Sequence, residues 1–308
     1  LIHFPCPTRA AAEAAVPRFA DHHRELSALA RGHIMTNEEY AQIHAVNYSA
    51  LKVGRTNLPR MHAVITGIAA KTDSDSLNLG NLLHEAMQVG DGWSDRYAIR
   101  PEGIDRRTKA GKDAYAAWLS SIAPGAEIVE DRSTIELVEA MRRSIMSHRV
   151  AVLLASQPGE SEVMLATGDR KCRIDRLTDS IIIDWKTTTD SSPSGFARAC
   201  ARYGYAQQAA WYVEMVRRVR GKSLPFVFVA VESTAPYCVG VYQIAADQIE
   251  AASRLNERIV ADYAAWLKAG ANMHHTADTI EELVLPEWAV TDKNTIPGGF
   301  DLAAESPF

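Results

Sequence analysis

Three acids and a lysine, Glu162, Asp175, Asp184 and Lys186, are spaced so that two tight turns would bring them together. Gly168-Asp169 and Asp179-Ser180 are turn dipeptides between three strand-like segments, Glu162–Thr167, Lys171–Leu177 and Ile181–Lys186. With each dipeptide as a hairpin loop, Thr178 pairs with Ile181 and Asp175 falls opposite Asp184. Likewise Thr167 pairs with Arg170, and Glu162 falls opposite Asp175. Opposed Cβ atoms lie about 5 Å apart, so three carboxylates in a row repel one another. A divalent cation is the usual means of neutralising such a row. Lys186 lies two residues beyond Asp184, so strand alternation puts it on the same face. Glu160 has the same parity as Glu162 and is its rival; the register favours Glu162. Ile181-Ile182-Ile183 is continuously apolar and predicts a central strand buried on both faces. A charge at the end of such a strand needs a partner.

The elements that must hold this row are read from period and punctuation. Thr36-Asn37-Glu38-Glu39 has capping-box spacing and opens a helix, and a second short helix spans Tyr48–Val53 and stops at Gly54. Leu79–Met87 reads as a helix with Leu79, Leu82, Leu83 and Met87 on one face and His84 beside that stripe. Asp91–Lys112 is loop-like and basic. Helices are predicted at Ala110–Ser121 and Thr134–Ser147, the latter with Ser133 and Glu136 as its capping box. After the strand meander come a helix at Tyr205–Arg220, strands at Phe226–Val231 and Tyr237–Ile244, and a long helix at Ala246–Lys268. This order predicts a mixed α/β fold: one central, mostly antiparallel or mixed sheet flanked by helices. The expected organisation is a helical extension at 1–34, one domain over 35–270 and an irregular tail over 271–308.

Composition narrows the function classes. The chain has 308 residues, 47% hydrophobic and 23% charged, with net charge −5. Collagen, coiled coil and global disorder are excluded, and no apolar run is long enough to cross a membrane as a helix. Leu1–Pro5 has no charged segment followed by a long apolar one, so no secretory signal is expected and the cytoplasm is the expected location. Cys6, Cys172, Cys200 and Cys238 are far apart, which argues against a zinc ribbon, an iron–sulfur cluster or a disulfide framework. Net acidity does not advertise nucleic-acid binding, but binding follows local patches. Arg106, Arg107, Lys109 and Lys112 form the best phosphate-contact candidate, because arginine offers paired donors and lysine a point charge. The run Arg217, Arg218, Arg220 and Lys222 suits the C-terminal dipole of its own helix and reads as structural.

Taken in order, these segments resemble the PD-(D/E)XK nucleases in their RecB-like branch, and within it the RecE-type exodeoxyribonuclease VIII group of phage and prophage recombination exonucleases. The resemblance rests on Asp175 followed by Asp184-Trp185-Lys186-Thr187-Thr188, on Asn37-Glu38-Glu39-Tyr40 and on Asn47-Tyr48-Ser49-Ala50-Leu51-Lys52. It also rests on Leu79-Gly80-Asn81-Leu82-Leu83-His84, on Asp105 to Lys112, and on Tyr205-Ala206-Gln207-Gln208-Ala209-Ala210-Trp211-Tyr212. It covers roughly residues 35–270. The family's Pro-Asp is Ile174-Asp175 here, which removes a backbone restraint only. Leu285-Pro286-Glu287-Trp288 is similar to a tail motif of some members.

The resemblance implies a restriction-endonuclease-like core and an exonuclease that degrades linear double-stranded DNA, 5′ to 3′, to expose a single strand for recombination. Asp175 and Asp184 would hold magnesium, for which manganese can substitute, with the Trp185 carbonyl and His84 as further ligands. Glu162 would complete the acidic row, and Lys186 would orient or help deprotonate the attacking water. Tyr205 and Gln208 would point at the scissile phosphate or the metal-bound water. The implied partners are DNA ends, a single-strand annealing protein and further copies of the chain in a ring. The competing readings are another PD-(D/E)XK endonuclease and a catalytically silent DNA-binding module.

Overall fold

Ile182, Ile183, Phe228 and Val229 form the centre of a five-stranded sheet whose two faces are both covered. The computed structural model describes residues 35–69, 75–129, 131–273 and 282–285. The predicted extension over 1–34 and the segment Pro286–Trp288 lie outside the described residues. The chain divides after Ala271 into a main unit and a second one comprising Asn272–Phe308.

The main unit begins with three short helices, α1 (Asn37–Gln42), α2 (Tyr48–Gly54) and α3 (Leu58–Ile65), followed by α4 (Asp75–Val89). Thr36 caps α1 in the expected capping box, and Asn47 and Asn57 cap the next two helices. A short parallel pair, β1 (Tyr97–Ile99) and β2 (Glu127–Val129), brackets α5 (Lys109–Ser121). Then come α6 (Arg132–Ser147), α7 (Arg149–Ala155), β3 (Gly159–Thr167), β4 (Arg170–Thr178), β5 (Ile182–Thr188), α8 (Pro193–Tyr203), α9 (Tyr205–Arg220), β6 (Phe226–Glu232), β7 (Val239–Tyr242) and α10 (Ala246–Lys268).

The main sheet runs β3-β4-β5-β6-β7, antiparallel except for the parallel pair β5-β6. The expected mixed sheet flanked by helices is therefore the observed one. Strand alternation sorts the core: on β6, Phe226, Phe228 and Ala230 face one side and Val227, Val229 and Val231 the other. The first side is closed by α9, α10, α2 and α3 through Trp211, Met215, Ile259, Leu51 and Met61. The second is closed by α4, α6 and α7 through Leu83, Val138, Met141, Ile145 and Leu154.

Some expectations are corrected. The cap of α6 is Asp131, whose side chain accepts from the Ser133 N–H, so the helix starts before the expected Ser133–Glu136 box. Helices α3, α7 and α8 lie where none is expected. The signals for α8 are Ser192 as cap, Pro193 in its first turn and Gly204 at its end. Within the predicted loop Asp91–Lys112 lie a 3₁₀ turn at Trp93–Arg96 and the three-residue β1, too short to show a period.

Candidate active site

The site lies in a fork between β4 and β5. The two strands pair through Leu177↔Ile182 and Arg176↔Ile183, and the ladder then stops. Beyond that point Asp175 turns its Oδ2 to accept the Trp185 N–H at 3.0 Å, replacing a ladder bond with a side chain. Alternation explains the fork. Ile174 and Leu177, three residues apart, pack in the same core, so the period of two is broken between them, at Asp175. The flat row of three opposed carboxylates expected from the hairpin register is thus opened by a kink.

Glu162 sits at the matching place on β3. Its neighbours pair as Ser161↔Arg176 and Val163↔Ile174, while Glu162 itself takes a positive φ of 52°. That conformation is costly for a residue with a long side chain and is held by the paired residues on either side. One carboxylate oxygen each of Glu162 and Asp175 and a ring nitrogen of His84 lie within 4.8 Å of one another. His84 comes from α4, whose Leu83 and Ala86 are buried on the second face of the sheet. Its Nε2 donates to the Trp185 carbonyl at 2.8 Å and stands 3.5 Å from Asp175 Oδ2. A proton thus occupies the point on which one imidazole nitrogen, one carboxylate and one carbonyl converge. These are hard oxygen donors with one imidazole, a set suited to a divalent cation taking that proton's place.

Asp184 stands next to this cluster with a different set of contacts. It is 0% exposed, accepts from Gln208 Nε2 through Oδ1 at 2.8 Å, and pairs through Oδ2 with Lys186 Nζ. Burial raises its carboxyl above the ordinary range, Asp175 adds to the rise, and Lys186 and His84 oppose it. Burial alone would lower the Lys186 ammonium, but the Asp184 and Asp175 carboxylates outweigh it and hold the proton more tightly than usual. Glu162 is raised by burial and by Asp175, against Arg173 and His84. Lys186 Nζ also lies 5.2 Å from the centre of the Tyr205 ring, whose hydroxyl burial pushes up to about 12.

The structure therefore brings together Glu162, Asp175, Asp184, Lys186, His84 and the Trp185 carbonyl, with Gln208 and Tyr205 against the Asp184–Lys186 pair. Gln208 is itself buried and spends its amide on Asp184, so in this state it positions a carboxylate. Glu160 is turned away into an ion pair with Arg220 at 2.7 Å. The basic loop residues make local contacts: Arg107 binds Asp105, Arg106 lies over the Tyr115 ring, and Lys109 and Lys112 belong to the first turn of α5. Arg217 and Arg218 bind Glu214, and Lys222 binds Asp179. One site residue is absent from the sequence reading: Arg173, whose Nε is 3.1 Å from Glu162 Oε2. Its position two residues before Asp175 on the same strand is the signal that could have found it.

The family model for the PDDEXK-like domain of unknown function (DUF3799) matches residues 48–280. The chain belongs to this PDDEXK-like family. Among solved structures, the "putative exonuclease" of Eubacterium rectale aligns at TM-score 0.55 with 15% identity, over 85% of this chain and 99% of that one, and shares the fold. An alkaline exonuclease from Laribacter hongkongensis aligns at TM-score 0.28 with 10% identity, over 54% of this chain and 86% of that one. No curated protein matches the chain. Among the described residues, no helix is long and apolar enough to cross a membrane.

Proposed function

We propose that the protein is a metal-dependent exonuclease acting on the ends of linear double-stranded DNA. The observation that carries this reading is the strand fork itself, where His84, Glu162, Asp175 and the Trp185 carbonyl converge beside a buried Asp184–Lys186 pair. A divalent cation bound there by Asp175, Asp184, His84 and the Trp185 carbonyl, with Glu162 completing the acidic row, would supply Lewis-acid activation and charge neutralisation.

The chain's own groups do the rest. Lys186, kept protonated by two carboxylates, orients the attacking water and offsets charge building on the phosphate. Glu162, raised by burial, is placed to accept the water proton. A bond forms from the water oxygen to phosphorus, the bond to the leaving sugar oxygen breaks, and that oxygen takes up a proton. Gln208 holds Asp184 in position from α9. Arg106, Arg107, Lys109 and Lys112 supply phosphate contacts away from the chemistry.

The RecE-type resemblance favours 5′ to 3′ degradation by a homo-oligomeric ring that hands single strand to an annealing protein, with Mg²⁺ or Mn²⁺ as the working ion. Ca²⁺ is expected to bind without supporting cleavage. The test incubates purified protein with linear and covalently closed duplex, with Mg²⁺ and with EDTA. Degradation of linear DNA alone, abolished in Asp184→Ala and Lys186→Ala, is the expected result. Cutting of the closed circle would replace the exonuclease with an endonuclease, and inertness towards both would leave a DNA-binding module.

A further inference from the structure

Beside the fork the surface carries an aromatic ring that the mechanism above does not use. Tyr203 is the last residue of α8, and it is 41% exposed. Two cations lie over its ring, Lys52 Nζ at 5.4 Å and Arg202 Cζ at 5.5 Å from the centroid. Among the described residues neither cation is ion-paired with a carboxylate, whereas Arg217, Arg218, Arg220 and Lys222 all are. The backbone that carries the ring is tied down. Tyr48 O–H donates to the Tyr203 carbonyl, and Gly204, at φ 77°, makes the corner between α8 and α9. That corner leaves Tyr203 outside while Tyr205 packs inward against Phe196 and Phe228.

The patch is continuous with the site. The rings of Tyr203 and Tyr205 are 5.7 Å apart, and Lys186 Nζ lies over Tyr205 and on Asp184. An exposed tyrosine with cations not paired to carboxylates matches one chemistry well: a nucleobase stacked on the ring, with the lysine and arginine swung off the ring face onto its phosphate. A base inside a duplex has no free face and the last pair of a blunt end has one, whereas an unpaired base can bring a free face to the ring in any orientation and fits best there.

Resting on the nuclease reading, we propose that Tyr203, Lys52 and Arg202 form a stacking site for an unpaired nucleotide of the DNA end, next to the scissile phosphate. The site would take frayed or overhanging ends in preference to blunt ones, and with little regard to sequence. The experiment uses duplexes carrying 2-aminopurine in a short overhang, bound in EDTA so that nothing is cleaved. Wild-type protein and Tyr203→Phe should quench the fluorophore. Tyr203→Ala should lose the quenching and bind the overhang about 5- to 150-fold more weakly, the usual range for removing one stacked base. Equal quenching and equal affinity in Tyr203→Ala would overturn the stacking site and leave the nuclease reading standing. Quenching by wild type that is lost in Tyr203→Ala, combined with no cleavage by wild type in Mg²⁺ or Mn²⁺, would support the stacking site and remove the nuclease reading. No binding of any DNA end would overturn both.

Discussion

Neutralising one member of the Asp184–Lys186 pair should cost far more than neutralising both. The pair is buried, with side-chain exposures of 1% for Asp184 and 14% for Lys186. Removing one partner of a buried ion pair costs about 3–5 kcal/mol, because the other charge is left in a poor solvent, whereas replacing both with neutral groups is close to neutral. Asp184→Asn keeps the Gln208 hydrogen bond and leaves Lys186 with Asp175 nearby, so it belongs at the lower end, about 3 kcal/mol. Lys186→Met leaves Asp184 fully buried with only Gln208, and belongs nearer 5 kcal/mol, about where uptake of a proton would cap the loss. At roughly 2–4 °C per kcal/mol for a domain of this size, the single variants should melt about 6–20 °C below the parent. The Asp184→Asn/Lys186→Met double variant should be no less stable than either. The assay is urea and thermal unfolding by circular dichroism in EDTA, analysed as a double-mutant cycle. Losses that simply add in the double variant would refute the ion pair as the neutraliser of Asp184 in the metal-free protein.

Two further outcomes are expected. Lys171 is buried beneath Tyr40, donates to the Tyr40 and Ile43 carbonyls, and burial pushes its ammonium down to about 8 from 10.5. Between those values the unfolded chain holds a proton that the folded one has released, so this residue makes stability rise with pH across the window. The deficit of Lys171→Met relative to the parent should therefore grow between about pH 7.5 and about pH 9.5, and a constant deficit in unfolding experiments would contradict it. Replacing Arg106, Arg107, Lys109 and Lys112 by alanine one at a time should flatten the log–log salt dependence of DNA binding by about one unit per lost phosphate contact. An unchanged slope in the quadruple variant would return these residues to a solvated surface.

Much of this was legible because β-structure is written locally here. Two turn dipeptides fix the hairpins, three consecutive isoleucines mark the central strand, and a parity of two puts Lys186 with Asp184. The register Thr167↔Arg170 was readable for the same reason. The kink at Asp175 and the positive φ at Glu162 were not, because they belong to the assembled sheet, where the β4–β5 ladder stops short of Asp175. The partner of Asp184 could be read as Lys186 from parity, but the amide of Gln208 reaches it only through the packing of α9 on the sheet. Arg173 is not legible from the register, since its pairing with Glu162 crosses strands diagonally, away from its Met164↔Arg173 partner. Helices α3 and α8 carried adequate start signals at Asn57 and Ser192-Pro193, but each is too short for its period to stand out.

The most direct test of the metal centre is a crystal of the protein soaked in Mn²⁺, with the ion located by its anomalous scattering. The expected result is an ion in the β4–β5 fork, bound by Asp175 and Asp184 together with the Trp185 carbonyl or His84, and lost in Asp175→Asn. An ion bound only elsewhere, or an empty fork with His84 Nε2 still against the Trp185 carbonyl at millimolar Mn²⁺, would contradict the metal centre.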